Sequence, residues 1–540
     1  MYTLETKDYL TFSIINEEGE CINTIEGVEH IVPALPGDKV SETGELLKRT
    51  DHPAIVGILY LNSKVKYGIT SKGKPIYLFE PFNKSYPLMI AGCGDKDTSS
   101  NVIALVSFEA WEKGSKFPRA GLQRILGPCG DHSVEREMLL LRYSPWPYPK
   151  KVEISQSYKD QLEKRPLIQG FTFNIDPPGC EDVDDIVSVE FLSGSMVILT
   201  ISITDVATAI EDGSTLDKYA RKVGQSLYPD GQEPKHMLPP SISTKELSLV
   251  KGAYRNAISL SIKWSPEGIE STWWSCSKVT VDKAYTYKEA QEETRDEMMV
   301  LKKIVNVIAG VDRVTSEEWV ETLMIYYNSE AGSLLKTNGQ GILRHHSEPD
   351  LKKLSMLELI DPRLGKMAYK SATYVPWNTP GKHWGLNIDD YAHASSPLRR
   401  YADLYNQRCL LTCLKNTNGT PQIPGGLCRT LNTLQKNSKG FERDEFFVNV
   451  LAKTKQPIVD GLIIEINAEK QFIKLWVTEW NRIVRMKTKL VLDFEKYWLE
   501  KKDGQTFPIK VNQDVKLSYH INYEKARWKD KIIFNIQPVA

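Results

Sequence analysis

Through the first 150 residues the apolar positions come in short runs, broken every few residues by Gly, Pro, Asn or Asp. Segments such as His30-Ile-Val-Pro-Ala-Leu-Pro-Gly37-Asp38-Lys39-Val and Ala54-Ile-Val-Gly57-Ile-Leu-Tyr carry the turn-then-strand rhythm of small barrels. The spacing predicts two such units joined near residue 75, with a helix from Ser133 to Leu141 ending the second. Ser144-Pro-Trp-Pro-Tyr-Pro149 excludes both helix and central strand and reads as a linker.

Beyond the linker the pattern lengthens. Two β-prone runs end in acids, Phe171 to Asp176 and Met196 to Thr204 with Asp205 after it. Thr286-Tyr-Lys-Glu289 has the form of a capping box, opening a helix to about Ile308. A second helix starts at Thr315-Ser-Glu-Glu318 and sets Val320, Leu323, Tyr327, Ala331 and Leu334 on one apolar face. From about residue 415 the composition loosens into Asn416-Thr-Asn-Gly-Thr-Pro-Gln-Ile-Pro-Gly-Gly, and strands resume near Pro457. Gly461-Leu-Ile-Ile-Glu-Ile, Phe472-Ile-Lys-Leu-Trp-Val and Val515-Lys-Leu-Ser-Tyr-His then read as a final small barrel, with Lys487, Lys489 and the run to Lys502 adding charge half cancelled by acids. The expected division is 1–75, 76–150, 151–450 and 451–540.

Composition narrows the class. A chain of 540 residues exceeds one ordinary core. With 41% hydrophobic and 26% charged residues it reads as a soluble globular protein, and no apolar run approaches the ~20 residues of a membrane span. The eight cysteines contain no Cys-x-x-Cys. Cys409 and Cys413 share a helix face without further zinc ligands, so reduced thiols and a cytoplasmic location are expected. Met1-Tyr-Thr-Leu-Glu-Thr-Lys-Asp resembles no targeting segment. The net charge of zero confines any nucleic-acid surface to a local patch or channel.

The chemistry concentrates in two places. Asp176-Pro-Pro-Gly-Cys-Glu-Asp182-Val-Asp184-Asp185 lies between β-prone runs, in a loop able to fold back and gather all four aspartates. Like charges so close raise one another's pKa unless something positive sits among them, and the hard-cation answer is Mg²⁺ or Mn²⁺. A solvated acidic turn is the alternative. The second place is Tyr391-Ala-His393-Ala-Ser-Ser396-Pro397-Leu-Arg399-Arg400-Tyr401-Ala-Asp403. Ser396 suits an N-cap and Pro397 a first helical position, which puts Arg399 and Arg400 in a first turn beside free backbone N–H groups, a phosphate site. Leu398, Tyr401, Ala402, Tyr405 and Cys409 then face the core, and two solvated arginines are the alternative. The adjacent His345 and His346 lie on a strand and point to opposite faces, which argues against zinc.

Both phrases resemble signatures of the RNB family of exoribonucleases, which includes bacterial RNase II and RNase R and the exosome's catalytic subunit. So, in the same order, do Gly213-Ser-Thr-Leu-Asp217, Ser226-Leu-Tyr228, His236-Met-Leu-Pro and Gly341-Ile-Leu-Arg344-His345-His346-x2-Pro349. The resemblance spans about residues 20–530 and departs where Gln407-Arg408 stands for a frequent His-Arg. It implies an α+β multidomain fold, with N-terminal cold-shock-like OB barrels, a central α/β RNB catalytic domain and a C-terminal OB barrel. The implied activity is processive 3′-to-5′ hydrolysis of single-stranded RNA to nucleoside 5′-monophosphates by a two-metal mechanism. Carried over by position, Asp184 and Arg399 are catalytic. Asp176, Asp182, Asp184 and Asp185 hold Mg²⁺ or Mn²⁺, and Tyr228, His393, Arg399 and Arg400 bind substrate. Tyr228 takes the place that stacks on the 3′-terminal base. A monomer is expected, and the lack of an extra N-terminal nuclease domain favours a stand-alone enzyme over an exosome subunit. The alternative is a catalytically inactive RNB-like scaffold that binds RNA or assembles a complex.

Overall fold

A computed structural model describes the chain except for residue 113 and residues 416–421, 454–457, 494–495, 501–503, 505, 526–527 and 538–540. Most of the loosened stretch after 415, the strand onset at Pro457 and Lys502 fall outside the described residues. The rest forms two compact units, Met1–Pro145 with Gly440–Ala540, and Trp146–Lys439.

In the first unit, the strands between Tyr2 and Lys48 form an open five-stranded sheet, and those from Ile55 to Pro128 close into a five-stranded barrel. Because the strand Ile55–Leu59 pairs inside that barrel, the sheets divide between residues 48 and 55 and not near 75. The helix His132–Tyr143 follows, capped by Asp131. The later strands pair as a five-stranded and a three-stranded sheet.

The second unit is built on a six-stranded sheet ordered Gly268–Val279, Arg255–Ser265, Val197–Thr204, Asp185–Phe191, Phe171–Asp176, Lys283–Thr286. It is antiparallel except for the last pair. Its central strands are buried almost throughout, yet they alternate aliphatic with hydroxyl residues. The hydroxyls answer one another across strands: Thr172 with Ser188 at 2.8 Å, Thr200 with Ser261 at 2.9 Å, Ser202 with Ser259 at 2.8 Å. A polar face is thus covered without orphaned groups.

Helix Ser316–Thr337 packs on the aliphatic core and opens with the expected capping box. Its buried row is Trp319, Leu323, Tyr327, Ala331 and Leu335, so Val320 and Leu334 lie half-buried at the margin. The predicted helix from Thr286 to Ile308 is two helices, Tyr287–Glu292 and Asp296–Ala309. The break occurs where the Glu293 carboxylate accepts from Tyr285, Lys283 and the N–H of Thr294. Helix Leu427–Lys453 lies where the pattern showed only loosened composition. No helix among the described residues is long and apolar enough to cross a membrane.

Candidate active site

The strand Phe171–Asp176 stops at Pro177, which has no N–H to extend a ladder. Gly179, at φ +80°, turns the chain back, and the N–H of Cys180 bonds the carbonyl of Pro177 at 3.2 Å. The returning segment is fixed from outside. The Val183 N–H donates to Ser248 Oγ at 3.0 Å, that hydroxyl donates to the Glu181 carbonyl at 2.7 Å, and the Leu249 N–H donates to the Val183 carbonyl at 3.0 Å. Asp185 then opens the next strand opposite Ile203.

The four aspartates meet different fates. Asp184 is buried; its Oδ1 accepts the Leu398 N–H at 2.8 Å and its Oδ2 lies 3.2 Å from Arg399 Nε. Burial nonetheless raises its pKa well above the usual carboxylate value, with Arg399 only partly offsetting it. Burial and the nearby Asp176 push Asp185 up to about 7. An apolar pocket beside it, lined by Ile186, Leu301, Trp319, Leu323 and Met324, explains the lost hydration. Asp176 is also raised by burial, against a 2.8 Å bond from Asn174 Nδ2. Asp182 goes the other way: burial pushes it up, but His236 and Tyr228 outweigh that. The Tyr228 hydroxyl donates to Asp182 Oδ2 at 2.5 Å, with His236 Nδ1 3.4 Å from the same oxygen.

The second signature reaches this loop from more than two hundred residues away, and its backbone differs from expectation. The helix begins at Tyr401, so Ser396 to Arg400 form a turn before it. Ser396 Oγ caps nothing and accepts instead from Arg399 Nη2 at 3.2 Å. The turn is held because the Leu398 N–H is spent on Asp184, the Ser226 N–H bonds the Arg399 carbonyl at 3.0 Å, and the Tyr401 N–H bonds the Gly224 carbonyl at 2.8 Å. Arg399 keeps 47% of its side chain accessible. Arg400 is committed to Asp403 through two bonds of 2.8 and 2.7 Å.

Tyr228 keeps 44% of its surface exposed despite its tethered hydroxyl. His393 Nδ1 lies 2.9 Å from the Tyr374 hydroxyl, and burial with Arg400 and Arg344 beside it holds the imidazole well below its usual pKa. Several positioning residues carry no signal in either signature. Asn328, mid-helix, donates to Ser395 Oγ at 3.1 Å and accepts the Ala394 N–H at 2.9 Å. Asn406 bonds the Ile342 N–H and carbonyl, each at 2.9 Å, and the His393 carbonyl at 2.9 Å. An amide inside an apolar helical face is the clue that marks Asn328. Gln407 accepts the Val206 N–H at 3.1 Å and donates to the Thr204 carbonyl at 2.8 Å, so the departure at this position is absorbed locally.

Raised carboxylates at Asp176 and Asp185, only partly offset by Arg399 and Arg400, are chemistry suited to a divalent ion. Among the described residues, no three carboxylate, imidazole or thiol groups converge closely enough to hold one as placed. The fit is therefore one of chemistry rather than of finished geometry.

The RNB domain profile matches residues 164–303 and 292–416, and the Dis3-like cold-shock domain 2 (CSD2) profile matches 76–144. The chain is 26% identical to the human exosome complex exonuclease RRP44 over 527 residues, covering 80% of this chain and 54% of that protein. It spans about half the length of the curated relatives it matches. In fold it resembles Mycoplasma genitalium RNase R, solved with ribose-methylated single-stranded RNA, at TM-score 0.71 and 17% identity over 99% of this chain and 100% of that one. It also resembles yeast Ssd1, described as a pseudonuclease, at TM-score 0.69 and 14% identity over 99% of this chain and 96% of that one. In sequence order, the chain carries a Dis3-like cold-shock domain followed by an RNB domain that holds both signatures.

Proposed function

We propose that the chain is a 3′-to-5′ exoribonuclease hydrolysing single-stranded RNA to nucleoside 5′-monophosphates. The observation that carries this is the junction of Asp184 with Leu398 and Arg399. Two signatures 214 residues apart place an accessible guanidinium against a buried, poorly compensated carboxylate cluster. Asp176, Asp182, Asp184 and Asp185 would hold one or two Mg²⁺ or Mn²⁺ ions, supplying Lewis-acid stabilisation to the attacking and leaving oxygens. Arg399 meets the charge that builds on the phosphoryl oxygens, where electrostatic help counts most. The exposed Tyr228 ring offers a face for the terminal base, and the OB domains admit a single strand of any sequence.

A second reading, an inactive RNA-binding protein, is favoured by the engagement of Asp184 with Arg399 and Leu398 and by the absence of a converged donor trio among the described residues. Incubating the purified chain with 5′-labelled RNA, with Mg²⁺, Mn²⁺ or EDTA, separates the two. Stepwise shortening from the 3′ end, abolished by EDTA, supports the enzyme. Intact RNA that still shifts on a native gel establishes the inactive binder.

A further inference from the structure

Arg344 is a buried, poorly compensated cation of the second unit. It sits in strand Ile342–His345, only 4% exposed. Its guanidinium makes no hydrogen bond or ion pair with any described residue, and Nη1 is enclosed without a partner. Its backbone is fixed, the N–H donating to the Tyr391 carbonyl at 2.6 Å. Its guanidinium carbon lies 4.4 Å from the centre of the ring of Tyr374, its cross-strand partner. Tyr374 in turn holds His393. Asp403 is the carboxylate that acts on Arg344 through space, but both its oxygens are taken by Arg400 and the Ser396 N–H.

Arginine cannot shed its proton to escape burial. Enclosing an ion is costly, and a cation–π contact returns only part of that cost. The remaining deficit calls for an anion. A guanidinium lying against a ring directs its N–H groups away from that ring, which suits them to a phosphate oxygen. Arg399 is occupied with Asp184, so the two arginines serve different groups. We propose that Arg344 grips a backbone phosphate of the substrate strand, one other than the phosphate facing Arg399. This rests on the ribonuclease reading above.

The test uses the full chain in EDTA, so that RNA is bound and not cut, with a fluorescent single-stranded oligonucleotide titrated at several salt concentrations. Arg344→Met should weaken binding about tenfold and flatten the dependence of log K on log salt by about 0.7, one phosphate contact on a single strand. The melting temperature of the free protein should hold or rise, since an uncompensated buried charge has gone. An unchanged salt slope overturns the proposal whatever the melting temperature. If Arg344→Met does not fold, Arg344→Gln is measured the same way, and failure of both to fold shows a structural residue and overturns it. Wild-type protein that binds no RNA breaks the ribonuclease reading instead, which separates the two failures.

Discussion

Two sets of buried acids in this molecule look alike in sequence and differ in kind. Asp38, in the first unit, is fully buried in a Pro-Gly-Asp turn. Its oxygens accept from Arg49 at 2.5 Å, the Leu35 N–H at 2.8 Å, the Thr50 N–H at 2.9 Å and His52 at 3.0 Å. Burial pushes its carboxyl up, but these partners outweigh it and the group ends below its ordinary range. Asp176, Asp184 and Asp185 are raised, because burial there is not matched by donors. Burial alone therefore does not raise a carboxylate; burial with a shortage of partners does. The same contrast separates Arg400, doubly bonded to Asp403, from Arg344, whose Nη1 is enclosed without a partner.

The largest expected break in this comparison comes from isosteric amides. Asp184→Asn or Asp185→Asn should cut RNA hydrolysis by well over tenfold, more than ~1.4 kcal/mol in the barrier, while RNA binding and melting temperature hold. Retention of a tenth of the rate by Asp184→Asn would remove it from the chemistry. Asp38→Asn should do the reverse. Breaking a satisfied buried ion pair costs about 3–5 kcal/mol, so the first unit should melt earlier in calorimetry. Hydrolysis per folded molecule should stay near wild type at low temperature.

Acid sharpens the contrast further. Asp38 has a lowered folded pKa, so the folded state binds this proton less readily than the unfolded chain. Its stabilisation is complete above the ordinary carboxylate value of 3.8 and is lost as pH falls through the folded value. The melting temperatures of wild type and Asp38→Asn should therefore converge on acidification below about pH 4. A constant gap down to the lowest pH at which both remain folded would show that Asp38 acts through shape and not charge.

Much of this was legible in the chain. Both signatures could be read because Pro, Gly and charge are local signals, and the capping boxes at Thr286 and Thr315 formed as written. Three things were not legible. The Leu398 N–H was spent on Asp184, and a loop partner so remote in sequence leaves no mark on local pattern, so the helix starts five residues after Ser396. Helix Leu427–Lys453 carries Leu427, Leu431, Phe441, Phe447, Val448 and Leu451 among many polar residues, too sparse a face for periodicity to announce. The strand Ile55–Leu59 went to the second barrel because pairing, not spacing, assigns a strand to its sheet.

The smallest effect concerns Tyr228, which joins the two halves of the comparison: its hydroxyl satisfies Asp182 while the residue stays 44% exposed. The two roles can be cut apart. Tyr228→Phe removes the 2.5 Å bond and keeps the ring, so it should slow hydrolysis modestly and leave the end product's length unchanged. Tyr228→Ala removes a stack worth roughly 1–3 kcal/mol per base. On a long RNA many phosphate contacts share the load, and turnover should change little. When few nucleotides remain, that one contact is a large share of the total, and the strand should leave sooner. A sequencing gel of 5′-labelled RNA should then show an end product longer by one or more nucleotides for Tyr228→Ala only. Equal lengths in wild type and both variants would mean that the ring touches no base and that Tyr228 serves Asp182 alone.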